Sequence, residues 1–412
     1  MNSLPLDQAD VDTDAAIAAA LATIRRNIAR FGDSYPDDTT TDGRYPLRPA
    51  GDGIREGGNR GWTTGFWPGM QWIAWELSGE QEFRDAAVRH AADFARRVRE
   101  AQDLDTHDLG FLYTLSSVPA WRLLGSSESR DAALLAADHL TGRYLEAAGI
   151  IQAWGDLSDP RQRGRTIIDS LMNMPLLSWA SNETGDPGFA HIAHTHADRL
   201  RTYLLRADNS TFHTYYWDAE TGAARFGATE QGAHDDSCWA RGQAWGIYGF
   251  ALNARLTGDS RLAEASRRCA EYFLDHLPDD LVPNWDLAYA DDSAAPCDSS
   301  AAAIAACGLL ELAELQEAGK LHGIGGRAAG YRQAADAILD SLITSYTPPA
   351  GDSSDALLLR GVYDLPKGVG VDEGTLWGDY FYLEALMRRS RPEWRPYWHL
   401  RQAGSAITGK DS

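Results

Sequence analysis

The sequence predicts an all-α protein, a six-hairpin α/α barrel (toroid), and three observations lead to that reading. A punctuation recurs along the chain: an Ala- and Leu-rich segment ends at Gly, and a polar or acidic residue then opens another Ala-rich segment. The segments fall into two kinds, one amphipathic and one apolar nearly all round. Strand-like alternation is sparse throughout.

The punctuation reads LSGEQEF at Gly79, LLGSSES at Gly125, ETGDPGF at Gly185 and LTGDSRL at Gly258. Glycine takes the left-handed conformation that ends one helix, and the acid or Ser after it caps the next. Each instance therefore marks a tight helical hairpin. The segments that follow the turns, such as EFRDAAVRHAADFARRVRE and SRLAEASRRCAEYFLDHL, place apolar residues at three- and four-residue steps with charge on the other face, as outer helices do. The segments that lead into them, WTTGFWPGMQWIAWELSG and CWARGQAWGIYGFALNARLTG, suit a buried inner ring. Six hairpins of roughly 60 to 70 residues account for the chain, and the uneven spacing of the turns argues against a short-period solenoid. Nothing resembles a linker, so residues 1–412 are expected to form a single catalytic barrel domain, with flexible tails at 1–15 and 404–412.

Composition narrows the partners. With 59 acidic residues against 38 Lys and Arg, the formal charge of −21 repels a phosphate backbone and leaves no basic stripe for nucleic acid or an anionic membrane. The opening MNSLPLDQADVDTDAAIAAA lacks a basic region followed by an apolar run, and no membrane-length apolar stretch occurs elsewhere. A soluble, cytoplasmic protein is expected. Cys238, Cys269, Cys297 and Cys307 show neither CxxC spacing nor a Cys/His cluster, which predicts free buried thiols, no metal and no cofactor.

Two acids stand in apolar company at the starts of inner helices: Asp108 in THDLGFLY and Asp169 in RTIIDSLMNMP. A lone Asp there caps a helix, but two on an inner ring converge at one barrel end. Burial and mutual repulsion then raise one pKa and keep a proton available for acid catalysis on sugars. Trp62, Trp67, Trp154, Trp239 and Trp245 fall where loops enter apolar helices, and an indole face with one N–H donor suits a sugar ring as well as a core. The run from His213 to Tyr248 gathers His213, Gln231, Arg241 and Trp245 around glycines that permit close approach. Arg241 in an apolar setting needs an anion, either an internal Asp or a substrate carboxylate.

Taken in order, GWTTGFWPGMQWIAWELSGE, THDLGFLY, IIDSLMNMP, FHTYYWD, DDSCWARGQAWGIYGFA, CDSSAAAIAACGLLEL and LWGDYFYLEALMR resemble the unsaturated glucuronyl hydrolases of glycoside hydrolase family 88 from about Arg60 to Arg388. The resemblance implies a six-hairpin barrel and metal-free removal of a 4,5-unsaturated uronic acid from the non-reducing end of lyase-generated oligosaccharides. It implies that an Asp protonates C4 of the C4=C5 bond, water adds at C5, and the hemiketal opens with loss of the sugar. By motif, Asp169 is the implied acid and then base, and Asp108 its companion. His213 and Gln231 fall at the reacting ring and water, Arg241 and Trp245 in the adjoining pocket, Trp62, Trp154 and Trp239 on the sugar, and His107 beside Asp108.

Some members of the family the chain resembles that accept sulfated glycosaminoglycan fragments carry Ser-x-Ser-x-Lys shortly before the last motif. Here VYDLPKGVG has Lys367 without the serines, which predicts a preference for unsulfated substrates. The alternatives are an unsaturated rhamnogalacturonyl hydrolase on the same fold, a sugar epimerase using paired histidines such as His107 and His213, and a non-catalytic carbohydrate binder.

Overall fold

Gly79, Gly125, Gly185 and Gly258 are all left-handed helix ends, with φ between 70° and 79°. The computed structural model describes residues 11–289, 294–319 and 328–400. Four hairpins follow the predicted turns: α2 (Phe66–Ser78) with α3 (Gln81–Arg99), α4 (Leu109–Leu124) with α5 (Ser127–Thr141), α6 (Met174–Thr184) with α7 (Pro187–Tyr203), and α8 (Ala240–Thr257) with α9 (Ser260–Asp275). The residue after the glycine caps three of the second helices. Ser126, Asp186 and Asp259 accept the N–H of Ser129, Gly188 and Arg261, whereas Glu80 makes no such bond.

The fifth pair is α10 (Ser299–Glu317) with α11 (Ala328–Ser345). The sixth joins the chain ends, α12 (Leu376–Ser390) packing against α1 (Thr13–Phe31). The even-numbered helices form the inner ring, each packed on the next, and α12 returns to α2. Every residue of α4 from Leu109 to Ala120 is buried, while α3 buries the stripe Phe83, Ala86, Ala87, His90, Ala91 and Phe94. The two predicted kinds of helix are thus the two rings. Residues 13–15, expected in a tail, are instead the first turn of α1, where Asp12 accepts the Ala15 N–H. Positions 1–10 and 404–412 lie outside the described residues.

Short strands occupy three of the connections that run from an outer helix to the next inner one, α5 to α6, α7 to α8 and α11 to α12. They are β1 (Tyr144–Leu145) with β2 (Ile150–Ile151), β3 (Arg165–Ile167) with β4 (Thr214–Trp217) and β5 (Ala224–Ala228), and β6 (Gly361–Asp364) with β7 (Val369–Glu373), all antiparallel. These hairpins therefore gather at the end where the inner helices begin. The opposite end is covered by residues 391–400, which reach the last turns of the inner helices: Tyr397 Oη donates to Glu76, Arg122 donates to the Pro396 carbonyl, and His399 pairs with Glu311.

Candidate active site

Asp108 occupies the N-cap position of α4, and Asp169 is the second residue of a 3-10 turn, 168–173, that joins β3 to α6. The turn is buttressed from the outer ring. Ile151 N–H donates to His196 Nδ1 (2.9 Å), so the neutral ring carries its proton on Nε2 and donates it to Ser170 Oγ (2.7 Å); Ser170 Oγ–H in turn donates to the Ile167 carbonyl (2.6 Å). Burial holds the His196 pKa down to about 3. On the other side, Asn173 Oδ1 accepts the Phe111 N–H (2.8 Å), and its Nδ2 donates to Asp108 Oδ1 (3.4 Å). This approach needs glycine at position 110, because a Cβ there would stand 2.2 Å from the Asn173 Cα.

His107 spans the two acids, its Nε2 3.2 Å from Asp108 Oδ1 and 3.9 Å from Asp169 Oδ1. Each carboxylate side chain retains 15 % exposure, so both are reached by solvent at this end of the barrel. Their surroundings differ. Asp108 accepts from Thr106 Oγ1 (2.9 Å) and from Asn173, whereas Asp169 Oδ1 is buried with no hydrogen-bond partner. Burial first, then the neighbouring Asp108 charge, push the Asp169 pKa well above the usual carboxylate range, with Arg241 opposing. Burial likewise lowers the His107 pKa although Asp108 pulls it up, so the imidazole is the neutral form.

The His213 carbonyl accepts the Ile168 N–H (2.9 Å), which sets the residue beside the turn that carries Asp169, and its ring lies 4.4 Å from that of Trp239. Its Nδ1 accepts the N–H groups of Glu230 (3.1 Å) and Gln231 (3.3 Å), and burial lowers its pKa to about 3. The proton therefore sits on Nε2, which makes His213 a hydrogen-bond donor and leaves no second histidine base for epimerase chemistry.

Arg241 has the internal partner that the sequence left open. Its Nη1 donates to Asp298 Oδ2 (3.0 Å) and to the Val362 carbonyl, its Nη2 to the Tyr363 carbonyl (2.7 Å), and it lies over the Trp239 and Trp377 rings. Gln231 Nε2 donates to the same Tyr363 carbonyl (3.1 Å), which ties the 229–239 loop to β6. Trp62, half-buried, donates to Tyr363 Oη (3.0 Å) and lies against Trp377; Trp154 stands under Arg165. Trp245, by contrast, is 1 % exposed between Phe111 and Phe381, beneath the other aromatics.

The structure adds Asn173, Asp298, Tyr363 and His196 to the sequence candidates. Asn173 and Asp298 stand within the quoted motifs IIDSLMNMP and CDSSAAAIAACGLLEL, and Asp298, at the N-cap of α10, is fully buried. All four cysteines are free and buried. Among the described residues, no group of three or more His, Cys, Asp or Glu is placed to hold a metal ion, and no helix is long and apolar enough to cross a membrane.

The sequence model of glycosyl hydrolase family 88 matches residues 40–282. The chain is 42% identical over 387 residues to an unsaturated glucuronyl hydrolase of Bacillus sp. (strain GL1), covering 94% of this chain and 98% of the relative. It is 42% identical over 384 residues to an unsaturated chondroitin disaccharide hydrolase of Streptococcus pneumoniae, covering 93% of each. A crystal structure of unsaturated glucuronyl hydrolase from Bacillus sp. GL1 superposes with a TM-score of 0.88 at 41% identity, over 94% of this chain and 99% of that one. With the barrel and the inner-ring acids in place, these matches settle the assignment: the chain is a glycoside hydrolase and belongs to glycosyl hydrolase family 88.

Proposed function

We propose that the protein is an unsaturated glucuronyl hydrolase that removes the 4,5-unsaturated uronic acid from the non-reducing end of lyase-generated oligosaccharides. The observation that carries this reading is the asymmetry of the two acids: donors converge on Asp108, while Asp169 keeps a buried, unpartnered oxygen and a raised pKa. Asp169 then holds the proton. It delivers that proton to C4, the C4=C5 electron pair forms the new C–H bond, and positive charge develops at C5 and the ring oxygen, where the Asp108 carboxyl group stabilises it. Water adds at C5 and returns a proton to Asp169, and the hemiketal opens with release of the sugar.

Two further features support the substrate class. The six inner helices begin at this end of the barrel, so their partial positive charges face an anionic uronate despite the net charge of −21. His213, bonded through its backbone to the turn that carries Asp169, and Gln231 beside it add polar groups suited to water and ring hydroxyls. Four free buried cysteines support a cytoplasmic location.

The test is Asp169→Asn on an unsaturated disaccharide, followed by loss of the ultraviolet absorbance of the conjugated C4=C5 carboxylate. The amide keeps the shape and cannot donate the proton, so kcat falls by about 10² to 10⁴. Removing an acid that burial disfavours when ionised leaves Tm unchanged or higher at neutral pH. Retention of more than a tenth of the wild-type kcat would sink the assignment.

A further inference from the structure

One row of side chains beside the acids is not used by the chemistry above. The register of the three-stranded sheet sets Arg165 opposite Tyr216 and Tyr216 opposite Phe226, so the three share one face. The Tyr216 and Phe226 rings stack at 4.8 Å and 24°. The Arg165 guanidinium stands 6.0 Å from the Tyr216 centroid and 5.5 Å from that of Trp154. At its inner end the row adjoins the site, because Ala153 accepts the His107 N–H (3.3 Å) and donates to the Arg165 carbonyl (3.0 Å). Midway, Tyr216 Oη donates to Glu230 (3.2 Å), whose own N–H holds His213. At its outer end Phe226 is 55 % exposed.

Packing alone does not account for this row. Arg165 Nε is buried without a hydrogen-bond partner, and no carboxylate of the described residues stands within ion-pair distance of the guanidinium, in a chain where acids outnumber bases. The residue is part-buried: two aromatic faces hold its stem and inner nitrogen, while Nη1 and Nη2 make no hydrogen bond among the described residues and are left to face a ligand. Its planar fork is shaped for a carboxylate. An exposed Phe stacked on a Tyr offers a platform of the kind that meets the CH face of a sugar.

We propose that Arg165, Tyr216 and Phe226, continuing outward from Trp154, form an outer subsite for the trailing sugars of an acidic oligosaccharide. Arg165 grips a uronate carboxylate downstream of the released sugar, and the aromatic pair supports the ring faces. This rests on the hydrolase reading above, which turnover of the disaccharide tests separately.

The experiment compares kcat/KM for three unsulfated substrates: an unsaturated disaccharide, an unsaturated tetrasaccharide with an internal glucuronate, and an unsaturated tetrasaccharide whose trailing sugars are neutral. The wild-type enzyme prefers the acidic tetrasaccharide to the disaccharide by at least tenfold. Arg165→Met keeps the packing stem and loses the charge; it removes most of that gain and changes the other two substrates less than twofold. Phe226→Ala, at an exposed position that does not threaten folding, lowers both tetrasaccharides and spares the disaccharide. Equal wild-type rates on the disaccharide and the acidic tetrasaccharide overturn the proposal, as does a loss on all three substrates in Arg165→Met. Without turnover, calorimetric binding of the acidic tetrasaccharide to Asp169→Asn reads the same subsite, and a loss of less than tenfold on adding Arg165→Met counts against it.

Discussion

Asp169 and Asp108 bring the same functional group into different surroundings, and the difference rests on single contacts. Thr106 and Asn173 donate to Asp108; nothing donates to Asp169 Oδ1. Both acids were legible in the sequence because each interrupts an apolar run. Asn173 and Asp298 were not, since what gives them meaning is a contact with another helix, the Phe111 N–H in one case and Arg241 in the other. The pair makes a prediction about pH. A general acid works only while protonated, so kcat/KM declines as pH rises through the raised Asp169 pKa. Burial is the larger cause of that raised value and the Asp108 charge the second. Asp108→Asn removes the second, so Asp169 loses its proton earlier and the alkaline limb of residual activity moves to lower pH. A limb that stays in place or moves upward contradicts the assignment of Asp169 as the proton holder.

Helices were legible where the chain writes its own stop and start, and less so elsewhere. The four Gly-and-cap turns give four hairpins, whereas the α10–α11 connection has no such signal and α12 pairs with a helix more than 300 residues away. The close approach of α4 to the 3-10 turn was also invisible, because Gly110 reads as one more small residue. Its role is testable. Gly110→Ala sets a methyl group 2.2 Å from the Asn173 Cα and 2.5 Å from its carbonyl oxygen, both backbone atoms that cannot rotate aside. Overpacking of this kind costs about 1 to 3 kcal/mol. The separation of Asp108 from Asn173 and Asp169 lowers kcat by at least tenfold in protein that remains folded by circular dichroism. The β6–β7 hairpin supplies a second test at this scale. Lys367 Nζ is paired with Asp364 Oδ2 at 2.7 Å on a side chain that is 66 % exposed, so the ammonium is held at the turn of the hairpin. Asp364→Asn releases the ammonium and raises kcat/KM for a 6-sulfated disaccharide relative to its unsulfated analogue severalfold. No change in that ratio means that Lys367 does not face the second sugar.

At the scale of the whole molecule, the barrel has one chemically open end and one sealed end. The sequence indicated an inner and an outer ring but not what closes the far end, because residues 391–400 have no helical periodicity and act through contacts with helices remote in the chain. There Trp394 and Tyr397 share Glu76, Arg391 donates to the Glu76 and Leu77 carbonyls, and His399 meets Glu311 within a cluster that includes Arg255 and Arg388. Trp398 goes deepest. It is 1 % exposed, stacks parallel to Phe381 at 6.3 Å, approaches Phe111 at 6.1 Å and donates its indole N–H to Glu384 Oε2 at 3.0 Å. Phe111 and Phe381 in turn flank Trp245, so the indole fills the barrel axis beneath the aromatic floor of the site. Truncating a buried Trp to Ala typically costs about 3 to 5 kcal/mol through lost burial and the cavity left behind. Trp398→Ala is therefore expected to lower the urea midpoint and Tm more than substitutions at the active-site mouth such as Phe226→Ala. Trp398→Phe, which keeps a ring against Phe381 but loses the bond to Glu384, falls between it and wild type. Trp398 meets Phe111 only at its ring, whereas the Phe111 N–H that holds Asn173 belongs to the α4 backbone, so kcat measured well below Tm stays within tenfold for both variants. Melting of Trp398→Ala within about 1 °C of wild type rules out a stabilising role for the C-terminal segment. A collapse of kcat with stability intact shows instead that the segment acts on the catalytic geometry.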